Sequence, residues 1–211
     1  MSRKNTPFFV HELALCQSED IGEHTKIWAF SQVMKGATVG QHCNIGSHVF
    51  IENGASVGNR VTVKNQVLLF EGVTVQDDVF IGPGVVFCND RYPRSPRMQF
   101  EPIQERYQSR ERWLAPITVK RGASLGAGSV LLPGVTIGTF ALVAAHTSVT
   151  KDVPAYALWR GCPGRLAGWV CACAKPLHFD NPDQISCSCG QSYQFCNNQL
   201  CPMNDDNRLT E

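Results

Sequence analysis

The sequence predicts an all-β fold, a coil of short parallel strands followed by a small cysteine-rich tail. Three observations predict it. Large apolar residues recur at every sixth position between residues 21 and 87, and short glycine-containing signals recur every 18 residues. In addition, six of the ten cysteines lie between Cys171 and Cys201. The first two observations are typical of a repeat architecture, and the third separates a cysteine-poor body from its tail.

The six-residue step excludes a helix in the body. A helix of period 3.6 drifts out of phase with a step of six within two turns, and β-branched residues and frequent glycines disfavour it further. Four residues after each of the first eleven apolar positions, the chain carries a small or β-branched residue. The apolar positions are Ile21, Ile27, Val33, Val39, Ile45, Ile51, Val57, Val63, Leu69, Val75, Ile81 and Phe87. We therefore expect short strands whose inward side chains form the core.

The 18-residue period indicates three six-residue faces in each coil. It appears in the related segments Lys35-Gly36-Ala37-Thr38, Asn53-Gly54-Ala55-Ser56 and Glu71-Gly72-Val73-Thr74. The six-residue phase stops after Phe87 and returns from Val119 to Val149. Together the two spans predict roughly six coils, or a prism about 28 Å long at the parallel-strand spacing. The periodicity does not determine the handedness of the coil.

Residues 88–118 interrupt the repeat and predict an ordered loop that projects from the prism. They include Pro93, Pro96, Pro102 and Pro116 among polar residues. Between Asp90 and Arg121 there are eight basic residues and four acidic ones. This excess fits either a solvated loop or a lid that binds phosphate groups.

Composition limits the function classes. With 211 residues the chain is long enough to bury a core without disulfides, and its formal net charge of +1 argues against a general nucleic-acid binder. No run of about 18 apolar residues predicts a membrane span, and residues 1–15 do not resemble a secretion signal. We expect a cytoplasmic protein with a repeat domain at 1–170 and a tail at 171–211.

The tail has the composition of a structural metal site. Cys171 and Cys173 form one close thiol pair, and Cys187 and Cys189 form another. Paired thiols of this kind bind structural zinc, although the usual knuckle has two residues between its cysteines and each pair here has one. Cys196 and Cys201, also in the tail, are possible substitute ligands, and free or disulfide-bonded thiols are the alternative.

Several segments resemble the hexapeptide-repeat acyltransferases, and more narrowly the N-acetyltransferases of nucleotide-linked (UDP- or dTDP-) 3-amino sugars. The matching segments are residues 8–15, 21–30, 48–53, 77–95, 121–128 and 168–173, with closing motifs at 151–154 and 161–165. The resemblance implies a left-handed parallel β-helix, a homotrimer, and acetyl-CoA bound between neighbouring prisms. It also implies N-acetylation of such a sugar for surface polysaccharide of the O-antigen type, with no nucleic-acid partner.

The same resemblance assigns roles to individual residues. Asn89, at the base of the loop, is expected to position the acceptor amine as the catalytic residue. Substrate-binding residues are expected at Glu71, Asp90 and Arg94, and acetyl-CoA contacts at Ala127, Ala145, Lys151 and Arg165. Asn89 could instead be a turn-forming asparagine, since asparagine favours turns.

Two other functions stay open from the sequence. One is a hexapeptide-repeat O-acetyltransferase of a small hydroxylated acceptor, which would need a strong base such as histidine. None of the six histidines stands out as that base; His24 and His42, 18 residues apart, are expected to stack at one corner. The other is a non-enzymatic β-helical scaffold whose tail recruits partners.

Overall fold

A computed structural model describes residues 7–179, 185–196 and 199–203. Residues 9–159 form a parallel β-helix with three faces, and the insertion projects from it. The strands in chain order are β1 (Phe9–Val10), β2 (Leu15–Cys16), β3 (Lys26–Ile27), β4 (Gln32–Val33), β5 (Thr38–Val39), β6 (Asn44–Ile45), β7 (Phe50–Ile51), β8 (Ser56–Val57), β9 (Thr62–Val63), β10 (Leu68–Leu69), β11 (Val73–Val75), β12 (Phe80–Ile81), β13 (Val86–Phe87), β14 (Ile117–Val119), β15 (Ser124–Leu125), β16 (Val130–Leu131), β17 (Thr136–Ile137), β18 (Leu142–Val143), β19 (Ser148–Val149), β20 (Ala157–Gly161), β21 (Gly164–Trp169), β22 (Ile185–Ser186), β23 (Ser192–Cys196) and β24 (Gln199–Pro202).

Three sheets make the faces of the prism. The first sheet has the order β1-β3-β6-β9-β12-β15-β18-β20-β21, the second β19-β16-β13-β10-β7-β4-β2, and the third β17-β14-β11-β8-β5. Within the repeat each residue pairs with the one 18 places later, as Ile27 does with Ile45 and Ile45 with Val63. The predicted parallel β-helix is therefore confirmed.

The core confirms the periodic pattern residue by residue. Every apolar position of the first span is buried, and so are the small or β-branched residues four places later. Two of these small residues, Thr25 and Ser31, satisfy their hydroxyls by donating to the carbonyls of Gly40 and Gly46, at 2.7 and 2.6 Å. The narrow interior accepts one large and one small side chain from each face of a coil.

The β-helix is longer than its periodicity predicts. The first sheet has eight parallel strands where roughly six coils were expected. The extra coils lie at the ends, where Phe9 pairs with Lys26 and Trp159 with Val143. Eight coils span about 38 Å at the same parallel-strand spacing. The six-residue phase breaks where each end coil begins: Ile21 follows Cys16 after five residues, and Val153 follows Val149 after four.

Two short helices lie in the insertion, which the sequence predicts only as an ordered loop. They are α1 (Glu101–Arg106) and α2 (Arg110–Trp113). Pro102 lies in the first turn of α1, where a missing N–H costs nothing. Neither helix contains a buried residue, so the sequence has no apolar period that would predict them.

The chain leaves the β-helix through an antiparallel pair and a small separate sheet. Strand β21 runs antiparallel to β20, and β22, β23 and β24 form an antiparallel sheet. The division into domains at residue 170 stays a prediction. No helix among the described residues is long and apolar enough to cross a membrane.

Candidate functional site

Two corners of the prism border the second sheet and carry most of the predicted site residues. The Asn89 corner, which follows the second-sheet strands, is the column Lys35, Asn53, Glu71, Asn89, Pro133 and Lys151. The Ala127 corner, which precedes strands of the same sheet, consists of residues 82–84, 126–128 and 144–146. Asn89 and two of the predicted acetyl-CoA contacts, Ala127 and Ala145, therefore lie on opposite edges of one face.

Asn89 is held in one orientation by the coil below it. Its Nδ2 donates to the backbone carbonyl of Glu71 at 3.1 Å, and its own carbonyl accepts from the N–H of Ala115 at 2.8 Å. Only the amide nitrogen can donate to a carbonyl, so this bond settles which end of the carboxamide is Oδ1. Within the described chain Oδ1 has no partner, and it is left free to accept a hydrogen bond.

Glu71 lies directly below Asn89, but its carboxylate is already paired. Oε1 is 2.9 Å from Nη2 of Arg110, which extends from α2. The backbone N–H of Glu71 donates to Oε2 of Glu52 at 2.9 Å. Because the Arg110 side chain is 56% exposed, the pair is open to solvent and of small energetic weight.

Asp90 joins the start of the insertion to the end of α1. Its carboxylate accepts from the Arg106 guanidinium, the Tyr107 hydroxyl and the backbone N–H of Tyr92. Burial alone would raise the pKa of the carboxyl, but the hydrogen bonds from Tyr107 and Arg106 outweigh it and hold the pKa below its ordinary value. The stabilisation from this contact is therefore complete at pH values above the pKa that the Asp90 carboxyl has in the unfolded chain. It is lost as the pH falls through the lower pKa of this carboxyl in the folded protein.

These contacts favour a structural role for Asp90 within the insertion. Its predicted contact with a sugar hydroxyl stays a prediction. Arg106 and Tyr107 are the residues that order this segment. In the sequence they are distinguished only by lying in the basic insertion. Their charge and spacing could not reveal the pairing, because Asp90 and Arg106 are 16 residues apart across a non-repetitive segment.

Arginine side chains from the start of the insertion and from α1 line a surface cleft of about 440 Å³. Its lining comprises Arg91, Tyr92, Pro93, Arg94, Ile103 and Arg106. Arg91 and Arg106 are engaged with the carbonyl of Pro133 and with Asp90, respectively. Among the described residues, the Arg94 guanidinium donates only to the carbonyl of the adjacent Pro93, at 3.2 Å, which leaves N–H groups for an anion. This geometry suits the phosphate contact that the resemblance assigns to Arg94.

The Ala127 corner presents unused backbone donors. The Ala127 carbonyl accepts from His146 N–H at 2.8 Å, whereas the N–H groups of Ala127 and Ala145 have no partner in the described structure. Gly126 packs directly against the peptide between Ala144 and Ala145. Ala145 is exposed and Ala127 is partly exposed, and their small side chains leave room for a ligand that carries carbonyl oxygens.

Lys151 and Arg165 lie at different places on the prism. Lys151 is two coils above Asn89 on the same corner, with Nζ 5.7 Å from the Trp159 ring centroid, and it lines a cleft of about 390 Å³ together with Arg91 and Gly134. Arg165 is on β21, opposite Arg160 in the first sheet. The structure thus brings Lys151, but not Arg165, to the Asn89 corner.

The histidines are not assembled into a site. His24 and His42 stack as expected, with ring centroids 4.8 Å apart, while His48 packs on Phe30 at another corner. His146 lies on the Ala127 corner against Gly128. All four occupy left-handed backbone positions, with φ between 55° and 61°. They are turn residues, and none contacts Asn89.

The four predicted metal ligands converge in the tail. The Sγ atoms of Cys171, Cys173, Cys187 and Cys189 all lie within 4.8 Å of one another. They come from two turns with matching hydrogen bonds. Cys171 N–H donates to Lys175 and Ala174 N–H donates back to Cys171; Cys187 pairs in the same way with Gln191 and Gly190. Cys196 and Cys201 are not part of this group.

The two turns also share a left-handed residue at the same place. Ala174 has φ 67° and Gly190 has φ 95°. An alanine in this region is strained, whereas glycine is not. We expect Ala174→Gly to stabilise the tail by about 0.5 kcal/mol, and Gly190→Ala, whose Cβ would meet no atom within 4 Å, to destabilise it by about 1 kcal/mol. Hydrogen exchange of the tail amides would measure both. A slower exchange in Gly190→Ala would contradict the argument.

Comparisons with known proteins support the same architecture. Residues 20–53 match the family model described as bacterial transferase hexapeptide (six repeats). The chain is 43% identical over 196 residues to dTDP-3-amino-3,6-dideoxy-alpha-D-galactopyranose 3-N-acetyltransferase from Aneurinibacillus thermoaerophilus, covering 92% of this chain and 95% of the relative. A putative acetyltransferase from Schizosaccharomyces pombe is 30% identical over 89 residues, 42% of this chain and 39% of that protein.

Among solved structures, a mutant of AntD, an N-acyltransferase from Bacillus cereus in complex with dTDP and coenzyme A, superimposes with a TM-score of 0.50. The match covers 76% of this chain and 79% of that one at 17% identity, which shows a shared fold. The N-acetyltransferase relative matches almost end to end at 43% identity, and it carries the family assignment. This chain therefore belongs to the hexapeptide-repeat acyltransferases and is an acetyltransferase of that family.

Proposed function

We propose that the protein transfers an acetyl group from acetyl-CoA to the 3-amino group of a nucleotide-linked amino sugar, with a dTDP-linked 3-amino-3,6-dideoxyhexose as the first substrate to test. The observation that carries this proposal is the 43% identity, over 92% of the chain, with an enzyme named for that reaction. The product would serve surface polysaccharide assembly, and the enzyme would act in the cytoplasm.

The chemistry requires an unprotonated amine close to a thioester. The amine attacks the thioester carbonyl, an amide bond forms, the C–S bond breaks, and coenzyme A leaves as the thiol after gaining the proton that the amine loses. Asn89 Oδ1 can accept a hydrogen bond from the amine N–H and so aim its lone pair, without taking the proton. A sugar amine needs less help from a base than a hydroxyl does, which agrees with the lack of a histidine at this corner.

The surroundings of Asn89 suit the rest of the substrate. Arg94, in its arginine-lined cleft, would bind the pyrophosphate, and Glu71 would bind the sugar after exchanging its exposed partner Arg110 for a hydroxyl. On the opposite edge of the second sheet, the free N–H groups of Ala127 and Ala145 would bind pantetheine carbonyls. Lys151 would bind the coenzyme A phosphates. Arg165 lies too far from this corner in the same chain, so it would contact the coenzyme A bound by a neighbouring copy.

The second sheet supports assembly with further copies of the chain. Its outward positions include Leu15, Leu68 and Val86, which are 47, 40 and 41% exposed. This apolar face lies between the two corners of the proposed site. A second copy packed on it would cover the apolar side chains and would place its own Ala145 edge beside Asn89 of the first copy, so that both substrates meet in a cleft between copies. We propose that the copies form a homotrimer.

Leu68→Lys is expected to dissociate this trimer to monomers at micromolar concentration and to lower activity at least 10-fold, because it buries an unpaired charge at the contact. Light scattering after size-exclusion chromatography would measure the mass. Leu166→Lys, at a similarly exposed position on the first sheet (47%, compared with 40% for Leu68), is the matched control and should keep the assembly. A trimeric Leu68→Lys variant would place the interface elsewhere.

The proposed reaction is tested by incubating the protein with acetyl-CoA and dTDP-3-amino-3,6-dideoxygalactose and detecting the product by mass. The same sugar nucleotide with a hydroxyl at C3 is the matched acceptor. We expect turnover of the amine and none of the hydroxyl. Acetylation of the hydroxyl analogue alone would support the O-acetyltransferase, and turnover of neither, over a panel of UDP- and dTDP-linked amino sugars, would support the scaffold.

A further inference from the structure

The cysteine-rich tail contains a cluster that the acetyl transfer does not use. We call Cys171, Cys173, Cys187 and Cys189 the thiol quartet. Sγ of Cys171 is 3.4 Å from Sγ of Cys189, and Sγ of Cys173 is 3.6 Å from Sγ of Cys187. A tetrahedral zinc ion with Zn–S bonds of about 2.3 Å has sulfur atoms about 3.8 Å apart. The quartet therefore has nearly the spacing of such a site.

The two turns place their cysteines in matching positions. Cys171 and Cys187 begin the turns and are buried, whereas Cys173 and Cys189, two residues later, are exposed. The backbone N–H groups of Cys171 and Cys187 donate to the carbonyls of Lys175 and Gln191, at 2.9 and 2.8 Å. Each turn therefore presents two thiols to the same point.

Tyr193 connects the quartet to the β-helix. The Tyr193 hydroxyl donates to Cys171 Sγ at 3.1 Å and accepts from Ala172 N–H at 2.9 Å. The Tyr193 ring is fully buried, packs edge-on against Tyr156, and Tyr156 stacks on Phe140 at a corner of the last coils. The quartet thus lies at the point where the tail covers the end of the prism.

We propose that the thiol quartet binds one Zn²⁺ in a closed, four-thiolate site that holds the tail against the last coil. Four protein ligands leave no position for water or substrate, so the metal is structural and takes no part in acetyl transfer. Soft thiolate ligands select zinc over calcium and magnesium. On binding, the thiols release their protons to solvent, and metal affinity falls at low pH.

Two disulfides, Cys171–Cys189 and Cys173–Cys187, are the competing use of the same four sulfurs. They would require the removal of four electrons by an oxidant, and none of the four sulfurs is in a disulfide in this structure. The two possibilities predict different metal contents and different masses under non-reducing conditions. They are separated by the experiment below.

The first measurement is the zinc content of the full-length chain, purified with reductant and without added metal. We expect about one zinc ion per chain. The double variant Cys173→Ser/Cys189→Ser changes the two exposed members of the quartet and should retain less than a tenth of that zinc. Cys162→Ser, an exposed cysteine outside the quartet, is the matched control and should keep it.

The second measurement uses Co²⁺ in place of zinc, so that the native chain tests the proposal without any substitution. We expect thiolate-to-cobalt charge transfer and the visible bands of tetrahedral cobalt, both abolished by added zinc. Tyr193→Phe should keep these spectra but lose zinc to a chelator about 10-fold faster, as for other residues that support a ligand. Any of three results would overturn the proposal. The native chain could contain no zinc and show no cobalt bands, the double variant could retain its zinc, or peptide mapping could find disulfides.

Discussion

Asn89→Ala is expected to lower kcat by about 100-fold while the KM for acetyl-CoA changes little, since a misplaced amine loses its near-attack geometry. The side chain holds itself in place through Nδ2 and the Glu71 carbonyl, at 3.1 Å, and presents Oδ1 to the acceptor. Alanine removes both the anchor and the acceptor. Steady-state kinetics with the amino sugar and acetyl-CoA would measure the effect.

Asn53→Ala is the control for Asn89→Ala. Asn53 has the same side chain on the same corner, two coils earlier, and is exposed. Its replacement should leave kcat within about twofold, because no reacting group is close to it. If Asn89→Ala, with an unchanged circular dichroism spectrum, turned over substrate at the native rate, Asn89 would be only a turn residue and not the positioning residue for the amine.

Asn89→Asp separates the two functions of the carboxamide. It keeps the shape but loses the N–H donor, so a carboxylate oxygen would face the Glu71 carbonyl and repel it. We expect a loss of kcat similar to that of alanine, and a partial recovery at low pH where the carboxyl is protonated and can donate again. A fully active aspartate variant would instead indicate a general base at this position.

Gly126→Ala is expected to lower the free energy of unfolding by about 3 kcal/mol, the largest stability effect we expect from a single methyl group. An added Cβ would lie 2.6 Å from the Ala144 carbonyl carbon and closer still to the Ala145 nitrogen. These are backbone atoms of the next coil, paired through β15 and β18, and they cannot move without breaking the ladder. Urea denaturation at fixed protein concentration would measure the loss.

Gly84→Ala is the matched control on the same corner. Gly84 has φ 67°, and an added Cβ would meet no atom within 4 Å. Only backbone strain opposes this substitution, so we expect the free energy of unfolding to fall by about 1 kcal/mol. A loss in Gly84→Ala as large as that in Gly126→Ala would show that strain, and not the close approach of coils, sets the cost.

Much of the site could be located from spacing alone. Glu71 and Asn89 are 18 residues apart, and so are Ala127 and Ala145, so each pair must lie on one corner of a coil with an 18-residue period. Their relation across the insertion could not be found in this way. Phe87 pairs with Leu131, 44 residues later, and this register depends on how much chain the insertion uses.

The amino-acid sequence by itself determined the coil, its core and the corner on which Asn89 lies, because a period of six repeats the same inward and outward environments at every step. Tertiary structure alone decided three other features: the locked carboxamide of Asn89, the pairing of Asp90 with Arg106 and Tyr107, and the convergence of four thiols. The second and third join residues across a segment without a period, where distance along the chain carries no information about distance in space. The first depends on the orientation of one side chain, which the period does not specify. The ten cysteines illustrate both cases, since Cys43 is buried by its place in the repeat, whereas Cys171 and Cys189 meet only because the tail folds back on the last coil.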